Sequence, residues 1–348
     1  MKIVHLFWWL ENGGIENMLA DIIKYQCESD EIHLVIVNNH INQSIYNRLD
    51  KRCTVHNIGR PAKSRNPYYI VKLNVLLWKL KPDVLHYHGD VFRFVKLPVK
   101  ATVFTAHNLS WGEKHIACVD KCAAISSAVY KNLVTNGYSN VVQVDNGVDY
   151  ELIHSRKKTF NGFLKIVQCG RLIAKYKGQD ILINAADSLV KQGVCDFHVD
   201  FMGDGESRQM LENMVKNKHL GKYISFLGDC DRDYIYEHLA DYDVFVQPSR
   251  WEGFGLTVAE AICAKLPIIV AKHEGPMQII DNGKYGYVFD IEDVQGLVNK
   301  LIYLKSNYPS NDKVEAAYQY VVENFGIDKT AKNYLKLYTN IIQSKEKV

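Results

Sequence analysis

The sequence has little that would interrupt a packed fold and no segment long enough to cross a membrane. Only 8 of its 348 residues are proline, and 47% are hydrophobic against 23% charged, which excludes a disordered, collagen-like or low-complexity chain. No run approaches the roughly 20 apolar residues of a membrane-spanning helix. The apolar opening, residues 3–10, leads into Glu11-Asn12-Gly13-Gly14 without a small-residue cleavage site, so it predicts a buried strand rather than a signal peptide. We therefore expect a cytoplasmic globular protein.

Cysteine motifs for metal binding are also missing. The eight cysteines lie scattered in apolar or strand-like segments, and the nearest pair, Cys118 and Cys122, does not have zinc spacing. His86 and His88 alternate along a predicted strand, but two histidines without a third ligand are poor grounds for a metal site. The sequence thus predicts reduced thiols and no bound metal.

The net charge is only +3, which gives no reason to expect a nucleic-acid partner. Its distribution is uneven, because residues 48–100 contain twelve Lys or Arg and three Asp. A basic patch of this kind suits a phosphorylated substrate or an anionic lipid surface. A solvated surface without a ligand fits the pattern equally well.

Short β-branched runs alternate with amphipathic helical stretches along the whole chain, which is typical of doubly wound α/β architecture. We predict two Rossmann-like domains, residues 1–155 and 156–326, with a polar linker near residues 155–163. A last helix, within residues 327–348, is expected to pack back on the first domain. Ligands of open α/β sheets bind at the carboxyl ends of the strands, so we expect the site in a cleft between the two sheets.

The most informative segment, Pro248 to Ala261, follows an apolar strand and opens into a helical pattern. A glycine-rich turn at the start of a helix leaves backbone amides free to bind a phosphate or an oxyanion. Glu252 lies before the turn, and Glu260 lies about two helical turns further on. By themselves, two glutamates eight residues apart also fit an ordinary helix entry with Glu260 on a solvated face.

The same segment resembles the Glu-x7-Glu signature of retaining GT-B glycosyltransferases, glycosyltransferase family 4 in particular. Further segments match that family in order along the chain; Glu274 and Gln278 depart from its usual residues and blur any inference about the donor sugar. The matching segments are Gly13-Gly14-Ile15-Glu16, Asp83 to His88, Thr105 to Asn108, Asp145 to Asp149, Cys169 to Leu172, Lys177 to Asp180, Gly203-Asp204-Gly205, Phe226-Leu227-Gly228 and Thr330 to Tyr338.

The resemblance implies a role for each matching residue. Glu252 would accept hydrogen bonds from the transferred sugar and Glu260 from the nucleotide ribose, while the cations Arg171 and Lys177 would neutralise the diphosphate leaving group. His107 would contact the donor sugar, although a buried structural histidine is nearly as compatible with its position. The backbone positions implied to contact the donor are Gly13, Gly14, Phe254, Gly255 and Leu256.

As a whole, the resemblance implies a GT-B enzyme with two Rossmann-like domains facing each other across a cleft. It would transfer a hexose, with retention and without a metal or other cofactor, from a nucleoside diphosphate sugar to an acceptor hydroxyl. We expect a UDP-sugar rather than a GDP-sugar as donor, and a saccharide or lipid-linked acceptor in surface polysaccharide or glycolipid assembly. A sugar-nucleotide epimerase and a non-catalytic nucleotide-sugar-binding subunit remain the alternatives.

Two features receive an ordinary structural interpretation. Asp229-Cys230-Asp231 contains a metal-binding pattern of another transferase fold, but its position after a strand favours a turn or a helix cap. The apolar helix predicted at residues 67–81 has flanking lysines and could lie at the inner face of the cell membrane, which would make the enzyme peripheral. We favour instead a helix packed into the core.

Overall fold

The structure, a computed structural model, describes residues 1–11, 13–89, 93–95, 97–107 and 116–347. The chain divides into two compact units. The first unit consists of Met1–Gly147 with Ile327–Val348, and the second unit is Val148–Gly326. Each unit contains one parallel sheet with helices, which confirms the predicted tandem of α/β sheets.

The described residues form β1 (Lys2–Phe7), β2 (Glu31–Asn38), β3 (Thr54–Arg60), β4 (Val84–Tyr87), β5 (Ala101–Ala106), β6 (Lys121–Ala124), β7 (Val141–Gln143), β8 (Leu164–Cys169), β9 (Phe197–Met202), β10 (Ile224–Gly228), β11 (Val244–Gln247), β12 (Ile268–Ala271) and β13 (Tyr287–Phe289). The α-helices are α1 (Gly14–Gln26), α2 (Gln43–Arg48), α3 (Tyr68–Leu80), α4 (Ser127–Thr135), α5 (Ala174–Lys177), α6 (Gln179–Lys191), α7 (Arg208–Asn217), α8 (Arg232–His238), α9 (Leu256–Cys263), α10 (Glu274–Ile279), α11 (Val294–Ser306), α12 (Asn311–Phe325) and α13 (Ile327–Glu346).

Both sheets reverse their strand order once. The first unit has the order β3-β2-β1-β4-β5-β6-β7, and the second has β10-β9-β8-β11-β12-β13. The central strands are almost completely buried because helices cover parallel sheets on both faces. The reversal points lie between β1 and β4 and between β8 and β11, and the loops that follow these strands are where an open α/β sheet binds ligands.

The last helix, α13, belongs to the first unit and packs against α1 and β5. Its buried side chains recur at three- and four-residue intervals, as expected for one face of a helix. They join the core of the first sheet and are Ile327, Ala331, Tyr334, Tyr338 and Ile341.

The unit boundary lies at Gly147, before the predicted boundary at residue 155. The polar segment that predicted a linker is fastened to the second unit instead. Arg156 donates to Asp243 at 2.5 Å and to the Tyr242 carbonyl at 2.9 Å, and Phe160 stacks on Tyr308 at 4.5 Å between ring centroids. The sequence could not distinguish a linker from a docked segment, because the residues that contact Arg156 and Phe160 lie far along the chain.

Helix α3 differs from its predicted role as a core helix. Only Leu73 and Leu77 are buried, whereas Tyr68, Val71, Val75 and Trp78 are 46–65% exposed. Among the described residues, no helix combines the length and the apolar character needed to cross a membrane.

Candidate active site and its relatives

The candidate site in the second unit forms at the reversal point between β8 and β11, which are hydrogen-bonded neighbours. Residues 170–178 follow β8, and residues 248–255 follow β11. Sequence positions some 75 residues apart therefore meet because both loops leave the same edge of one sheet.

The turn before α9 has the backbone that the glycine-rich sequence predicts. Gly255 has a φ of 102° and a ψ of 51°, a left-handed conformation that side chains disfavour. Gly275 lies against this turn, where an added Cβ would stand 2.8 Å from the Glu252 carbonyl oxygen and 2.9 Å from that of Phe254. The first amides of α9, from Leu256 onward, lie where a helix has no internal acceptors and where its dipole favours an anion.

Lys177 and Glu252 form the ion pair of the site. The Lys177 Nζ lies 2.7 Å from the Glu252 Oε2, and the two side chains are 28% and 14% exposed. Gln247, the last residue of β11, donates to the same oxygen at 3.1 Å. The structure therefore brings together two of the residues singled out in the sequence and adds Gln247, which the sequence analysis missed because it reads as an ordinary strand residue.

Close backbone packing holds the two loops together. An added Cβ on Gly178 would stand 2.0 Å from the Pro248 carbonyl oxygen, so no side chain fits there. The Tyr176 carbonyl accepts hydrogen bonds from the amides of Arg250 and Trp251 at 2.8 and 3.1 Å. These contacts fix the position of Lys177 relative to Glu252.

Arg250 is a second residue that the sequence analysis missed. Its guanidinium binds both oxygens of Asp180 at 2.7 and 2.8 Å and also pairs with Glu292. The Asp180 and Glu292 carboxylates raise the pKa of Arg250 further above its ordinary value. Arg250 thus ties the loop after β11 to α6 rather than offering its charge to a ligand.

Arg171 is exposed, and its guanidinium makes no hydrogen bond or ion pair within the described part of the chain. Only its carbonyl is held, by the Gln179 side-chain amide at 3.2 Å. The structure places Arg171 in the same loop as Lys177 but does not include it in the ion pair with Glu252. Its predicted role at a diphosphate stays a prediction.

Glu260 lies half-buried on α9, with its Oε1 accepting a hydrogen bond from the Tyr236 hydroxyl at 3.1 Å. Burial raises the pKa of Cys169 and Cys263, and the Glu260 carboxylate raises both further. Tyr236 was not predicted, since nothing in the sequence links α8 to α9. Glu260 is therefore oriented within the second unit rather than freely solvated.

Asp231 has the capping role that its position after a strand suggested. It is the N-cap of α8, and its side chain accepts a hydrogen bond from the Tyr234 amide at 2.8 Å.

In the first unit, Gly13 and Gly14 stand at the start of α1, after β1. Gly13 has an extended backbone, so its φ does not require glycine. An added Cβ would instead stand 2.6 Å from the buried Glu16 carboxylate. This carboxylate is the far end of a flexible side chain, so the contact alone does not require glycine at position 13, and the predicted contact with donor phosphates stays a prediction.

His86 and His88 do have a third histidine beside them, which their sequence pattern did not predict. His5 on β1 joins them, and nitrogen atoms of the three buried rings lie within 4.8 Å of one another. Every ring nitrogen has a side-chain partner at 2.6–3.3 Å, so a metal ion would have to displace hydrogen bonds. Burial lowers the pKa of His5 to about 4 and those of His86 and His88 well below the ordinary value, which keeps the rings neutral.

His107 follows β5 and lies 7% exposed at the same edge of the sheet. Its Nε2 is 3.3 Å from the His88 Nδ1, and burial lowers its pKa to about 3. It is thus a neutral hydrogen-bonding group and not a cation. Asn108, the next residue of the predicted motif, lies outside the described residues.

Residues 149–320 match the sequence model of a family described as glycosyl transferases group 1. The match covers nearly the whole second unit and contains the Lys177–Glu252 pair. The first unit lies outside it.

Curated relatives extend the likeness to part of the first unit. The chain is 32% identical over 134 residues to a probable sucrose-phosphate synthase from Thermosipho melanesiensis, covering 38% of this chain and 30% of that protein. It is 28% identical over 220 residues to the O-antigen biosynthesis glycosyltransferase WclY from Escherichia coli, covering 61% of this chain and 56% of that protein. Each match thus spans less than two thirds of the relative's length.

Among solved structures, HepE from Anabaena, in complex with UDP and glucose, has a TM-score of 0.80 at 17% identity. The superposition covers 97% of this chain and 99% of that one. At that identity the likeness establishes the fold alone. Residues 149–320 therefore resemble the group 1 glycosyl transferases in sequence, and the chain has the GT-B fold.

Proposed function

We propose that this protein is a retaining glycosyltransferase that moves a hexose from a nucleoside diphosphate sugar to an acceptor hydroxyl. The observation that carries the proposal is the Lys177–Glu252 ion pair, 2.7 Å long, beside the N-terminus of α9. A cation, a carboxylate and unpaired helix amides converge there. These are the groups that a diphosphate and a polyhydroxylated sugar require.

The ion pair suggests how the loop accepts its donor. Without ligand, Glu252 neutralises Lys177, and both side chains keep limited exposure to solvent. A bound diphosphate would compete for the ammonium group and release the carboxylate. Glu252, still held by Gln247, would then accept hydrogen bonds from the sugar hydroxyls.

The reaction breaks the bond between the anomeric carbon and the diphosphate oxygen. Negative charge develops on the leaving group while the sugar becomes oxocarbenium-like. Lys177, the first amides of α9 and, in our proposal, Arg171 stabilise the leaving group without a divalent ion. The acceptor hydroxyl attacks from the same face as the leaving group departs, and its proton passes to the diphosphate oxygen, so the configuration is retained.

The proposed donor is a UDP-sugar. HepE was crystallised with UDP and glucose, and its likeness over nearly the whole chain supports a uridine nucleotide as the first candidate. Glu260 lies on the following turns of α9, where the Tyr236 hydroxyl on α8 orients it. In this proposal, Glu260 accepts hydrogen bonds from the ribose hydroxyls. The relative WclY supports a role in surface polysaccharide or glycolipid assembly.

The exposed stripe on α3 suggests where a lipid-linked acceptor would be met. Tyr68, Val71, Val75 and Trp78 recur at helical spacing on one face of α3. Exposed cations lie on and around the helix, namely Lys63, Arg65, Lys79 and Lys81. An apolar stripe with basic neighbours fits the surface of an anionic membrane, so we include peripheral association in the proposal.

Donor binding is the first test. Thermal unfolding of the purified chain would be measured with UDP, GDP, ADP and their common sugar conjugates, because a ligand bound only to the folded state raises the melting temperature. We expect UDP and a UDP-sugar to raise it, and Lys177→Ala to remove the shift while Lys175→Ala keeps it.

The products then separate the proposal from its alternatives. Transfer to an acceptor with the anomeric configuration retained supports it. Isomerised donor formed without an acceptor would identify an epimerase instead, and donor binding without turnover on any acceptor would identify a binding subunit.

A further inference from the structure

Four buried side chains form a continuous hydrogen-bonded chain across the first sheet. Gln26, at the end of α1, contacts the His5 Nε2 through its Oε1 at 2.8 Å. The His5 Nδ1 lies 3.0 Å from the His88 Nε2, and the His88 Nδ1 lies 3.3 Å from the His107 Nε2. We call this chain the histidine relay. All four residues are at most 7% exposed, so water does not replace these partners.

The rings of the relay are neutral. Burial lowers the pKa of His5 to about 4 and that of His107 to about 3, and it lowers the pKa of His88 well below its ordinary value. A neutral imidazole has one donor nitrogen and one acceptor nitrogen. Because every link joins one donor to one acceptor, fixing the first proton fixes all the others.

Gln26 fixes the first proton. Its carbonyl oxygen faces His5, and an amide oxygen can only accept, so the His5 Nε2 carries the hydrogen. The Gln26 Nε2 makes no hydrogen bond within the described residues, although Tyr338 lies near this side chain. Burial raises the pKa of Tyr338, so this hydroxyl keeps its proton, and its oxygen lies 2.6 Å from the His86 Nδ1.

The direction then propagates to the end of β5. The His5 Nδ1 accepts from the His88 Nε2–H, and the His88 Nδ1 accepts from the His107 Nε2–H. The remaining nitrogen, the His107 Nδ1, is buried and has no hydrogen-bond partner within the described residues. Buried polar atoms are rarely left unpaired, and this one lies at the ligand-binding edge of an open α/β sheet.

We propose that Gln26, His5 and His88 are positioning residues that hold His107 as its neutral Nε2–H tautomer, so that Nδ1 accepts a hydrogen bond from a saccharide hydroxyl. The ligand class rests on the proposed function, whereas the tautomer does not. A lone imidazole in water exchanges tautomers freely. The relay removes that freedom before the ligand arrives, so no rearrangement is needed on binding.

The tautomer can be measured directly. In the full chain labelled with ¹⁵N, long-range proton–nitrogen correlations at pH 7 distinguish a protonated from an unprotonated ring nitrogen, and loss of one ring's signals in His107→Gln assigns it among the 13 histidines. We expect the Nε2–H form in the wild type. An Nδ1–H form or an imidazolium would overturn the proposal from the wild-type spectrum alone.

Gln26→Met tests whether Gln26 sets the direction of the hydrogen bonds in the histidine relay. Methionine has a similar length but no carbonyl, so the His5 Nε2–H loses its acceptor, and the direction that leaves the His107 Nδ1 unprotonated loses its advantage over the reversed direction. We expect His107 to populate the Nδ1–H tautomer as well, and turnover to fall by up to roughly 10-fold, as for one lost hydrogen bond to substrate. An unchanged His107 spectrum in a folded Gln26→Met variant would refute the positioning role.

His33→Gln is the matched control. His33 contacts His56 with the same nitrogen-to-nitrogen distance of 3.0 Å, on β2 and β3, but does not belong to the relay. It should leave the His107 spectrum and the turnover as they are; a shift of the His107 tautomer in this variant would attribute the effect to general loss of packing. If no donor is ever turned over, the proposed function fails while the spectra still decide the tautomer.

Discussion

The two sheets present different polar groups at their ligand-binding edges. In the second unit, Lys177 and Glu252 are charged and 28% and 14% exposed. In the first unit, His5, His88 and His107 are buried, and burial keeps them neutral. Partly exposed charges can exchange partners when an ionic ligand binds, whereas buried neutral rings keep a fixed hydrogen-bonding pattern. The charged pair is therefore suited to an ionic group, and the neutral rings are suited to a group that forms hydrogen bonds without charge.

Removing the charge in the second unit should have the largest effect. We expect Lys177→Ala to lower transfer by roughly 10²- to 10³-fold or more, because a preorganised cation on the leaving group is lost. Glu252→Ala should have a comparable effect, through the sugar hydroxyls. Steady-state transfer with the best donor is the measurement, and circular dichroism checks the fold.

Lys175→Ala is the matched control for Lys177→Ala. Lys175 lies on the same short helix, is exposed, and stands 5.5 Å from the centre of the Tyr176 ring rather than beside Glu252. Near-normal turnover in the Lys177 variant, or equal losses in both variants, would contradict the assignment.

Lowering the pH should separate the stabilities of the two units, because the buried, neutral histidines His5, His88 and His107 belong to the first unit. The folded pKa of His5 is about 4, below its ordinary value of 6.5, so the unfolded chain binds more protons between these values. Stability is therefore highest above pH 6.5 and falls as the pH drops toward 4, by about 3 kcal/mol for this one group.

Hydrogen exchange followed by mass spectrometry measures this effect by region. Peptides from β1, β4 and β5 should lose protection between pH 6.5 and 4.5 before peptides from β8 and β11. Equal loss in both sheets would show that the buried histidines do not control acid stability.

Breaking the loop support should have an intermediate effect. Arg250→Leu removes the two hydrogen bonds to the Asp180 carboxylate and the ion pair with Glu292. We expect it to lower the free energy of unfolding by about 1–3 kcal/mol. Arg208→Leu is the control, because Arg208 pairs with Asp204 and Glu212 on the surface and should cost less than about 1 kcal/mol. Urea unfolding measures the free energy of unfolding of both variants. Equal losses in the two variants would contradict the role of Arg250 in supporting the loop.

The smallest expected effect concerns the exposed face of α3. Trp78→Ser should weaken flotation with vesicles containing anionic lipid by roughly 10-fold, since a large apolar side chain no longer leaves water. Tyr303→Ser is the control, because Tyr303 is 53% exposed in the second unit and outside the stripe. If the wild type does not float with the vesicles, the membrane proposal is wrong, and the proposal for the donor site is unaffected.

Local patterns were sufficient for most of the fold. The alternation of strands and helices was predicted because central strands such as β11 are buried apolar runs between turn residues. Helix α2 was missed because its short polar sequence has no apolar period; its only strong signal is Asn42, which caps it by accepting from the amides of Ser44 and Ile45.

The candidate site was predicted less evenly. Lys177 and Glu252 were identified, with the glycines around them, because the resemblance gave them roles and the glycine-rich turn has a local signature. Gln247, Arg250 and Tyr236 were not, since each acts on a partner in another element. The orientation of Arg171 also lay beyond the sequence, because a loop arginine can reach many positions.

The sequence by itself determined where strands, helices and turns form, because apolar periodicity and glycine chemistry act over a few neighbouring residues. Only the tertiary structure decided that Lys177 faces Glu252, that His5 joins His88 and His107, and that α3 turns tyrosine, valine and tryptophan side chains to solvent. Those outcomes depend on strand order and close packing, which join residues far apart along the chain, and on burial, which decides whether a polar side chain is charged or neutral.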